Sequence, residues 1–143
     1  DAGGSHSPKN IHNFMPFMNS DFDCLYGSRF CKGGKMINAN IIRLLLSKGG
    51  SILSKIFFKI NLQDTTSGFQ MFRLNTLKLL LNKKIISKNR FFQTEIKIYT
   101  RKLKQKEIPI QYICKTQIVY LNAIFESICL LFKLKFFKKN YIE

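Results

Sequence analysis

The stretch that most constrains this chain runs from Gly27 to Ser47 and reads GSRFCKGGKMINANIIRLLLS. Its first residues end a predicted strand, and Gly33 and Gly34 then form a loop that permits close approach of the backbone. From about Asn38 or Asn40 the apolar residues recur at helical spacing. The rest of the chain is arranged around this order of strand end, glycine loop and helix.

Two arginines and a hydroxyl in this stretch are suited to binding a phosphate. Arg29 lies at the strand end, while Arg43 and Ser47 are four residues apart and so project from one face of the predicted helix. Guanidinium groups bind phosphate oxygens through paired hydrogen bonds. A second interpretation is structural: Arg29 closes a strand, and Arg43 extends its charged end to water from an apolar helix. Taken alone, the stretch favours this structural interpretation.

The charge of the chain indicates anionic partners. Lys and Arg number 24 against 8 Asp and Glu, a formal net charge of +16. Such an excess is typical of proteins that bind nucleic acid, anionic lipid head groups or phosphorylated substrates. Because the cations are spread along the whole chain, the charge by itself assigns no site.

Cysteine spacing and hydropathy limit the remaining classes. The 4 cysteines include no C-x-x-C pair, which argues against a zinc or redox motif and favours free thiols in a reducing cytosol. The sequence has no run of about 18 uninterrupted apolar residues, so no transmembrane helix is predicted. The chain begins with Asp1 in a loop motif that no strand precedes, so we expect it to be a fragment or a processed product.

Periodicity predicts alternating helices and strands. Ser7 as N-cap and Pro8 as first residue predict a helix start. Strands are predicted at 22–30, 69–72 and 108–114, and helices at 38–59, 75–81, 91–105 and 118–137. Gly49 and Gly50 predict a break or a close backbone contact in the helix at 38–59.

Two helical segments are candidates for a membrane surface. The helix at 38–59 combines apolar residues with lysines, and it is expected either to lie on a membrane or to be a core helix, with equal weight. The segment 118–143 interleaves lysine with phenylalanine, which favours an anionic membrane surface. The alternative for this second segment is a helix packed on the domain.

Five short motifs follow one another in order: DAGGSHSP at 1–8, GSRF…GG…R…S at 27–47, DTTSGFQMFR at 64–73, FFQTE at 91–95 and EIPIQY at 107–112. This succession resembles family 2 glycosyltransferases of the polyprenyl-phosphate (dolichyl-phosphate) mannosyltransferase group. The resemblance implies an α/β, GT-A-like (Rossmann-like) fold. Residues 1–117 would be the C-terminal part of the catalytic domain, without its N-terminal nucleotide-binding half, and residues 118–143 would be a basic amphipathic helix.

The resemblance also implies site residues. Asp1 corresponds to the first acid of the Asp-x-Asp motif that holds Mg²⁺ or Mn²⁺ against the nucleotide diphosphate, and Gly3 stands at the place of the second acid. The residues implied to bind the acceptor phosphate are Arg29, Arg43 and Ser47. Those implied in the donor and sugar cleft are Gly3, Ser5, His6, Ser67, Gly68 and Gln93. The implied catalytic residues are Asp1, Asp64 and Glu95.

The reaction that the resemblance implies is an inverting transfer of a hexose, mannose, from a nucleotide sugar such as GDP-mannose to a polyprenyl or dolichyl phosphate. It would take place at the cytoplasmic face of a membrane, with the protein bound peripherally and inactive as this fragment alone. A phosphate is already anionic at pH 7, so such a site requires positioning and charge stabilisation more than a strong base. The alternative is a non-catalytic basic module that binds anionic membrane lipid or nucleic acid. Nucleic acid is not expected, because arginine is scarce and the aromatic residues have the periodicity of buried ones.

Overall fold

The computed structural model describes residues 4–87, 89–115 and 121–137. Within these ranges the chain opens with two 3₁₀ helices, Pro8–Asn13 and Met15–Phe17. The strands are β1 (Cys24–Ser28), β2 (Lys35–Ile37), β3 (Gln70–Phe72), β4 (Gln105–Pro109) and β5 (Gln111–Ile113), and the helices are α1 (Ile41–Phe58), α2 (Leu74–Leu81), α3 (Phe92–Tyr99) and α4 (Leu121–Phe137).

The strands form one mixed sheet and one small parallel sheet. β1 is central in the first, antiparallel to β3 and parallel to β4, and β2 pairs with β5 in the second. Ile110 joins the two sheets, because its N–H donates to the carbonyl of Ser28 (3.1 Å) and its carbonyl accepts from the N–H of Lys35 (2.9 Å). The predicted α/β class is confirmed. The single strand predicted at 108–114 is instead the end of β4 followed by β5.

The hydrophobic core covers both faces of β1, whose five residues are all buried. On one face Cys24 and Tyr26 pack with the last residue of α1, with residues that follow it and with residues of α3 and α4, among them Phe58, Ile60, Leu62, Ile98, Leu131 and Leu134. On the other face Leu25 packs with Phe14, Ile108 and Ile110. Each large apolar side chain buried in this way contributes about 1.5–3 kcal/mol to the stability of the fold.

Helix α4 packs on this core. Leu131 and Leu134 are 3% and 1% exposed, and Nζ of Lys135 donates to the carbonyl of Phe57 (2.6 Å). This is the alternative that the sequence left open for the C-terminal segment. The predicted division after residue 117 falls outside the described ranges and stays a prediction.

Helix α1 packs through its small residues and exposes its apolar ones. Ser51 and Ser54 are 3% and 1% exposed. The helix is unbroken at its glycines, and a Cβ on Gly50 would make an ordinary van der Waals contact with Cγ2 of Thr66 (3.4 Å). An apolar stripe at helical spacing faces away from the domain: Ile41 is 71% exposed, Leu45 63%, Ile52 56% and Ile56 69%.

Two other predicted helices differ from the structure. The side chain of Ser7 accepts from the N–H of Lys9 (3.3 Å) as predicted, but the helix that it caps is a 3₁₀ helix, and a second short 3₁₀ helix contains Pro16. The helix predicted at 91–105 ends at Tyr99, and β4 begins at Gln105. In the described part of the chain, no helix combines the length and hydropathy needed to cross a membrane.

Candidate functional site

A buried ion pair between Arg29 and Asp64 forms the centre of the site. Nε of Arg29 lies 2.7 Å from Oδ2 of Asp64, and Nη2 lies 2.7 Å from Oδ1. The backbone N–H of Arg29 donates to the same carboxylate at 2.9 Å. Burial by itself would raise the pKa of Asp64, but the hydrogen bonds and the charge of Arg29 outweigh it and hold that pKa below its ordinary value. Asp64 is therefore ionised at neutral pH.

The turn that carries Asp64 is held by its own backbone and by two helices. Oδ1 of Asp64 accepts from the N–H groups of Thr66 (3.2 Å) and Ser67 (3.1 Å), the pattern by which aspartate closes a tight turn. From α1, Oγ of Ser51 accepts from the N–H of Thr65 (3.1 Å). From α3, Oγ1 of Thr94 donates to the carbonyl of Thr65 (3.1 Å). The small residues of α1 thus place this turn beside Arg29.

Lys97 of α3, which none of the sequence motifs contains, holds the same turn. Its side chain is fully buried, and Nζ donates to the carbonyls of Ser67 (2.6 Å) and Thr65 (3.2 Å). Burial lowers the pKa of Lys97 to about 7, although the carboxylates of Asp64 and Glu107 oppose that shift. Lys97 shares the buried face of α3 with Thr94 and Ile98, and the sequence pattern alone does not single out this face.

Tyr112 brings the two predicted phosphate-binding arginines together. Its ring centroid lies 5.4 Å from Cζ of Arg29, and its hydroxyl accepts a hydrogen bond from Nη2 of Arg43 (3.2 Å). The backbone of Arg43 is fixed as well, because its N–H donates to Oδ1 of Asn40 at the N-cap of α1 (2.8 Å). Ser47 lies one turn further along α1 and is half-buried. The predicted convergence of a loop arginine and a helix arginine is thus present.

The N-terminal loop packs against Tyr112. The carbonyl of Ser5 accepts from the N–H of Ile113 (2.9 Å), and the ring of His6 lies 4.9 Å from that of Tyr112 and 5.5 Å from that of Phe69. Burial, followed by the charge of Arg29, lowers the pKa of His6 to about 4. His6 is therefore neutral at pH 7.

The predicted metal ligand Asp1 and its neighbour Gly3 lie outside the described residues. Within the described ranges, no three His, Cys, Asp or Glu side chains are grouped as a metal ion requires. Nδ1 of His6 is buried without a hydrogen-bond partner among these residues. However, the positive charge of Arg29 acts on that imidazole. The described residues therefore do not by themselves fit a divalent cation.

The remaining predicted residues divide into two groups. Gly68 packs so tightly on Gln93 that a Cβ added to it would collide with the amide, and Ser67 follows Asp64 in the same turn. Glu95 lies elsewhere. Its buried carboxylate accepts from the N–H groups of Ile86 (3.0 Å) and Ser87 (2.9 Å) and from the hydroxyl of Tyr99 (3.0 Å). These bonds hold the connector between α2 and α3.

A basic and apolar cleft of about 370 Å³ opens beside Arg29, between the loop that follows β1 and helix α1. Phe30, Met36 and Leu44 contribute apolar surface, and Lys35 and Lys48 contribute ammonium groups. Such a lining suits a ligand that carries both an anionic group and a hydrocarbon chain.

Comparison with known proteins identifies the family. No family model matches the sequence. Over 115 residues, 79% of this chain, the sequence is 33% identical to the undecaprenyl-phosphate mannosyltransferase of Micrococcus luteus, and the match covers 47% of that protein. Over 96 residues, 67% of this chain, it is 29% identical to the polyprenol monophosphomannose synthase of Mycolicibacterium smegmatis, covering 36% of it. The chain thus spans half or less of the length of these curated relatives. Over most of its own length, however, it belongs to the polyprenyl-phosphate mannosyltransferase group of family 2 glycosyltransferases.

Proposed function

We propose that this chain forms the acceptor side of a glycosyltransferase that transfers the hexose mannose from a nucleotide sugar to a polyprenyl phosphate. The transfer inverts the configuration at the anomeric carbon of the sugar. The observation that carries the proposal is the convergence of Arg29 and Arg43 on Tyr112 beside a cleft that is both basic and apolar. The names of the two relatives supply the donor sugar and the acceptor class. GDP-mannose is the donor that we expect.

In this reaction a phosphate oxygen of the acceptor attacks the anomeric carbon of the sugar. The new bond joins that oxygen to the anomeric carbon, and the bond from the carbon to the nucleotide diphosphate breaks, with its electron pair leaving on the diphosphate. Because the attacking phosphate is already ionised, no side chain has to remove a proton from it. The work of the protein is to position the phosphate and to stabilise charge.

Asp64 contributes by orienting Arg29 rather than by accepting a proton. Its two oxygens are bound to the guanidinium, and its lowered pKa makes it a weak base at neutral pH. Arg43, whose guanidinium is bound to the phenol of Tyr112 at the start of α1, is the arginine that we assign to direct contact with the acceptor phosphate. Ser47, one turn along the same helix, is the hydroxyl that we assign beside it.

A divalent cation, Mg²⁺ or Mn²⁺, stays a prediction for the donor diphosphate. Its predicted ligand is Asp1, and the described residues offer no complete set of ligands for it. We therefore assign no step of the reaction to a metal.

We propose that the protein binds peripherally to the cytoplasmic face of a membrane through helix α1. The support is the exposed apolar stripe of Ile41, Leu45, Ile52 and Ile56, each more than half exposed. A helix that lies in a bilayer interface inserts a stripe of this kind among the acyl chains. The acceptor is itself a membrane lipid, so this arrangement brings the cleft to the substrate.

The proposed function is tested in a full-length protein that includes residues 1–143. We expect purified protein to transfer radiolabelled mannose from GDP-mannose to undecaprenyl or dolichyl phosphate. Arg43→Ala should reduce kcat/KM by at least about tenfold, the value of one charge-assisted hydrogen bond. Arg90→Ala is the matched control, because Arg90 is exposed and lies outside the site. No transfer of sugar by well-folded protein to any polyprenyl phosphate would contradict the proposal.

A further inference from the structure

A buried cation of α3 holds the tight turn beside Arg29. The side chain of Lys97 is fully buried, and its Nζ donates to the carbonyls of Thr65 (3.2 Å) and Ser67 (2.6 Å). Between these two residues lies Thr66, whose Oγ1 accepts from Nη2 of Arg29 (2.5 Å). The ammonium of Lys97 therefore fixes the backbone on both sides of a residue that contacts the guanidinium.

Lys97 belongs to a cluster of four charged groups inside the domain. Arg29 and Asp64 form the buried ion pair, and Oε1 of Glu107 on β4 accepts from the backbone N–H of Asp64 (2.9 Å). The charges of Asp64, Arg29 and Glu107 all act on Lys97. From β1, Tyr26 places its ring centroid 5.0 Å from Nζ of Lys97, and burial raises the pKa of this phenol, which is therefore neutral. Two cations and two carboxylates make the cluster neutral while Lys97 is protonated.

The fold disfavours the charge on Lys97. Burial lowers its pKa to about 7, against about 10.4 for a lysine in water. A neutral amine can still donate to a carbonyl, but it has one N–H group fewer and no positive charge. What only the protonated form supplies is the charge that offsets the two carboxylates. Loss of the proton leaves the cluster with a net negative charge.

Arg29 connects this cluster to the cleft that we assign to the acceptor. Its guanidinium is bound to Asp64 and lies 5.4 Å from the ring of Tyr112, whose hydroxyl accepts from Arg43. Arg29 also lines the cleft itself. Buried charges are screened weakly by solvent and salt. A net negative charge behind Arg29 would therefore repel an anion in the cleft.

We propose that Lys97 is a positioning residue for the acceptor, because its ammonium holds the turn against Arg29 and keeps the buried cluster neutral while a phosphate binds beside it. Lys97 is fully buried, so it acts through Asp64 and Arg29 rather than by touching the substrate. Affinity for the phosphate should fall as the pH rises through about 7, the pKa of Lys97 in the folded protein. The inference rests on the proposed function for its choice of ligand.

Binding alone can test this role. The probe is geranyl phosphate, titrated calorimetrically into the full-length protein at pH 6.5 and pH 8.5, below its critical micelle concentration. We expect Kd to be about five- to tenfold larger at pH 8.5, the lower end of ordinary coupling between two sites. Because such coupling is reciprocal, binding at pH 7.5 should take up protons, which the dependence of the measured heat on the buffer reports. Equal Kd values at the two pH values would overturn the proposal.

Neutral substitutions separate the charge of Lys97 from its packing. Lys97→Met and Lys97→Gln should bind geranyl phosphate about five- to tenfold more weakly than the wild type at pH 6.5 and about equally at pH 8.5. Both should also take up fewer protons on binding at pH 7.5. Lys97→Gln keeps a donor for the carbonyls, and it provides the test if Lys97→Met does not fold. Wild-type affinity of both folded variants at pH 6.5 would overturn the proposal.

Two controls keep the cation at residue 97. Thr94→Val removes the other hydrogen bond from α3 to the carbonyl of Thr65 without changing a charge, so it should retain the wild-type ratio of the two Kd values. The exposed Lys104→Met should retain that ratio as well. Loss of the ratio in Thr94→Val would show that the packing of the turn, and not the charge of Lys97, controls affinity, and it would overturn the proposal.

The transfer assay distinguishes failure of this inference from failure of the proposed function. If the full-length protein transfers mannose and Lys97→Met has the wild-type KM for the polyprenyl phosphate from pH 6.5 to pH 8.5, the role of Lys97 is wrong and the function stands. A change in kcat with no change in that KM would also overturn the role, because positioning of the acceptor should appear in KM. If no sugar is transferred but the affinity for geranyl phosphate depends on pH through Lys97, the function is wrong and the role of Lys97 stands.

Discussion

The hydroxyl of Tyr112 accepts a hydrogen bond from Nη2 of Arg43 across 69 residues of sequence. The two residues lie on different elements, β5 and α1, and the ring of Tyr112 also lies against the guanidinium of Arg29. This one phenol therefore sets the separation of the two arginines that the motifs single out.

Tyr112→Phe removes the hydroxyl and retains the ring. Because Arg43 loses the acceptor that orients it, we expect KM for the polyprenyl phosphate to rise about three- to tenfold, the value of one ordinary hydrogen bond. The free energy of unfolding should change by less than about 1 kcal/mol, because the ring still packs on Arg29 and His6. Steady-state kinetics and urea unfolding check the two expectations. Unchanged KM in Tyr112→Phe would show that the hydroxyl does not position Arg43.

Asp64→Asn tests the buried ion pair. The substitution leaves the charge of Arg29 buried and unpaired, which costs about 3–5 kcal/mol in proteins. We expect a loss of that size in urea unfolding at pH 7. Asp21→Asn, at an exposed position, should be neutral. A change below about 1 kcal/mol in Asp64→Asn would contradict the importance of the pair.

The same pair of Arg29 and Asp64 should make the free energy of unfolding fall as the pH becomes acidic. The pKa of Asp64 is lower in the folded state than in the unfolded one, so the unfolded chain binds its proton first. The stabilisation is therefore fully present above the unfolded pKa of about 3.9 and is lost as the pH falls through the folded pKa. Relative to the wild type, Asp64→Asn should show a flatter dependence of unfolding free energy on pH below about 5.

Lys97 should make the free energy of unfolding rise with pH near neutrality. A lysine whose pKa is raised by a carboxylate partner would have the opposite effect. Burial lowers its pKa to about 7 in the folded protein, whereas the unfolded value is about 10.4. The unfolded chain therefore holds more protons above pH 7, and the free energy of unfolding should rise by about 1 kcal/mol between pH 7 and pH 8. Lys97→Met should remove this rise, and the exposed Lys104→Met should keep it. An equal rise in Lys97→Met would exclude Lys97 as its source.

Local patterns predicted the elements that surround the site. An apolar run predicts β1, and a helical period from Asn40 predicts α1. An Asp-x-x-Ser-Gly sequence predicts the turn at Asp64. These features depend on neighbours in sequence. The end of α3 at Tyr99 was not predicted, because residues 100–104 have helical composition but are drawn away by the pairing of β4 with β1.

Tertiary contacts decided what the sequence could not. Helix α1 meets the turn at 64–66 through Ser51, whose hydroxyl accepts from the N–H of Thr65, and through Gly50, which lies against Thr66. Likewise, Arg29 pairs with Asp64, which lies 35 positions away in sequence. The buried ammonium of Lys97 donates to the carbonyl of Thr65, which lies 32 positions away. The sequence shows that a residue is charged, but it does not show which residue lies next to that charge in the folded protein.

The exposed stripe of α1 leads to the last prediction. Leu45 and Ile56 are 63% and 69% exposed on one face of the helix, and a glutamate at either place would put a charge where we expect acyl chains. Leu45→Glu with Ile56→Glu should therefore reduce sedimentation of the full chain with vesicles of phosphatidylglycerol and phosphatidylcholine by about tenfold or more, since each substitution also repels the anionic head groups. Leu79→Glu with Leu81→Glu is the matched control. These residues are 47% and 75% exposed on α2, so the pair adds the same charge elsewhere and should sediment nearly as the wild type does. Equal loss in both pairs would mean that net charge, not the α1 stripe, determines binding.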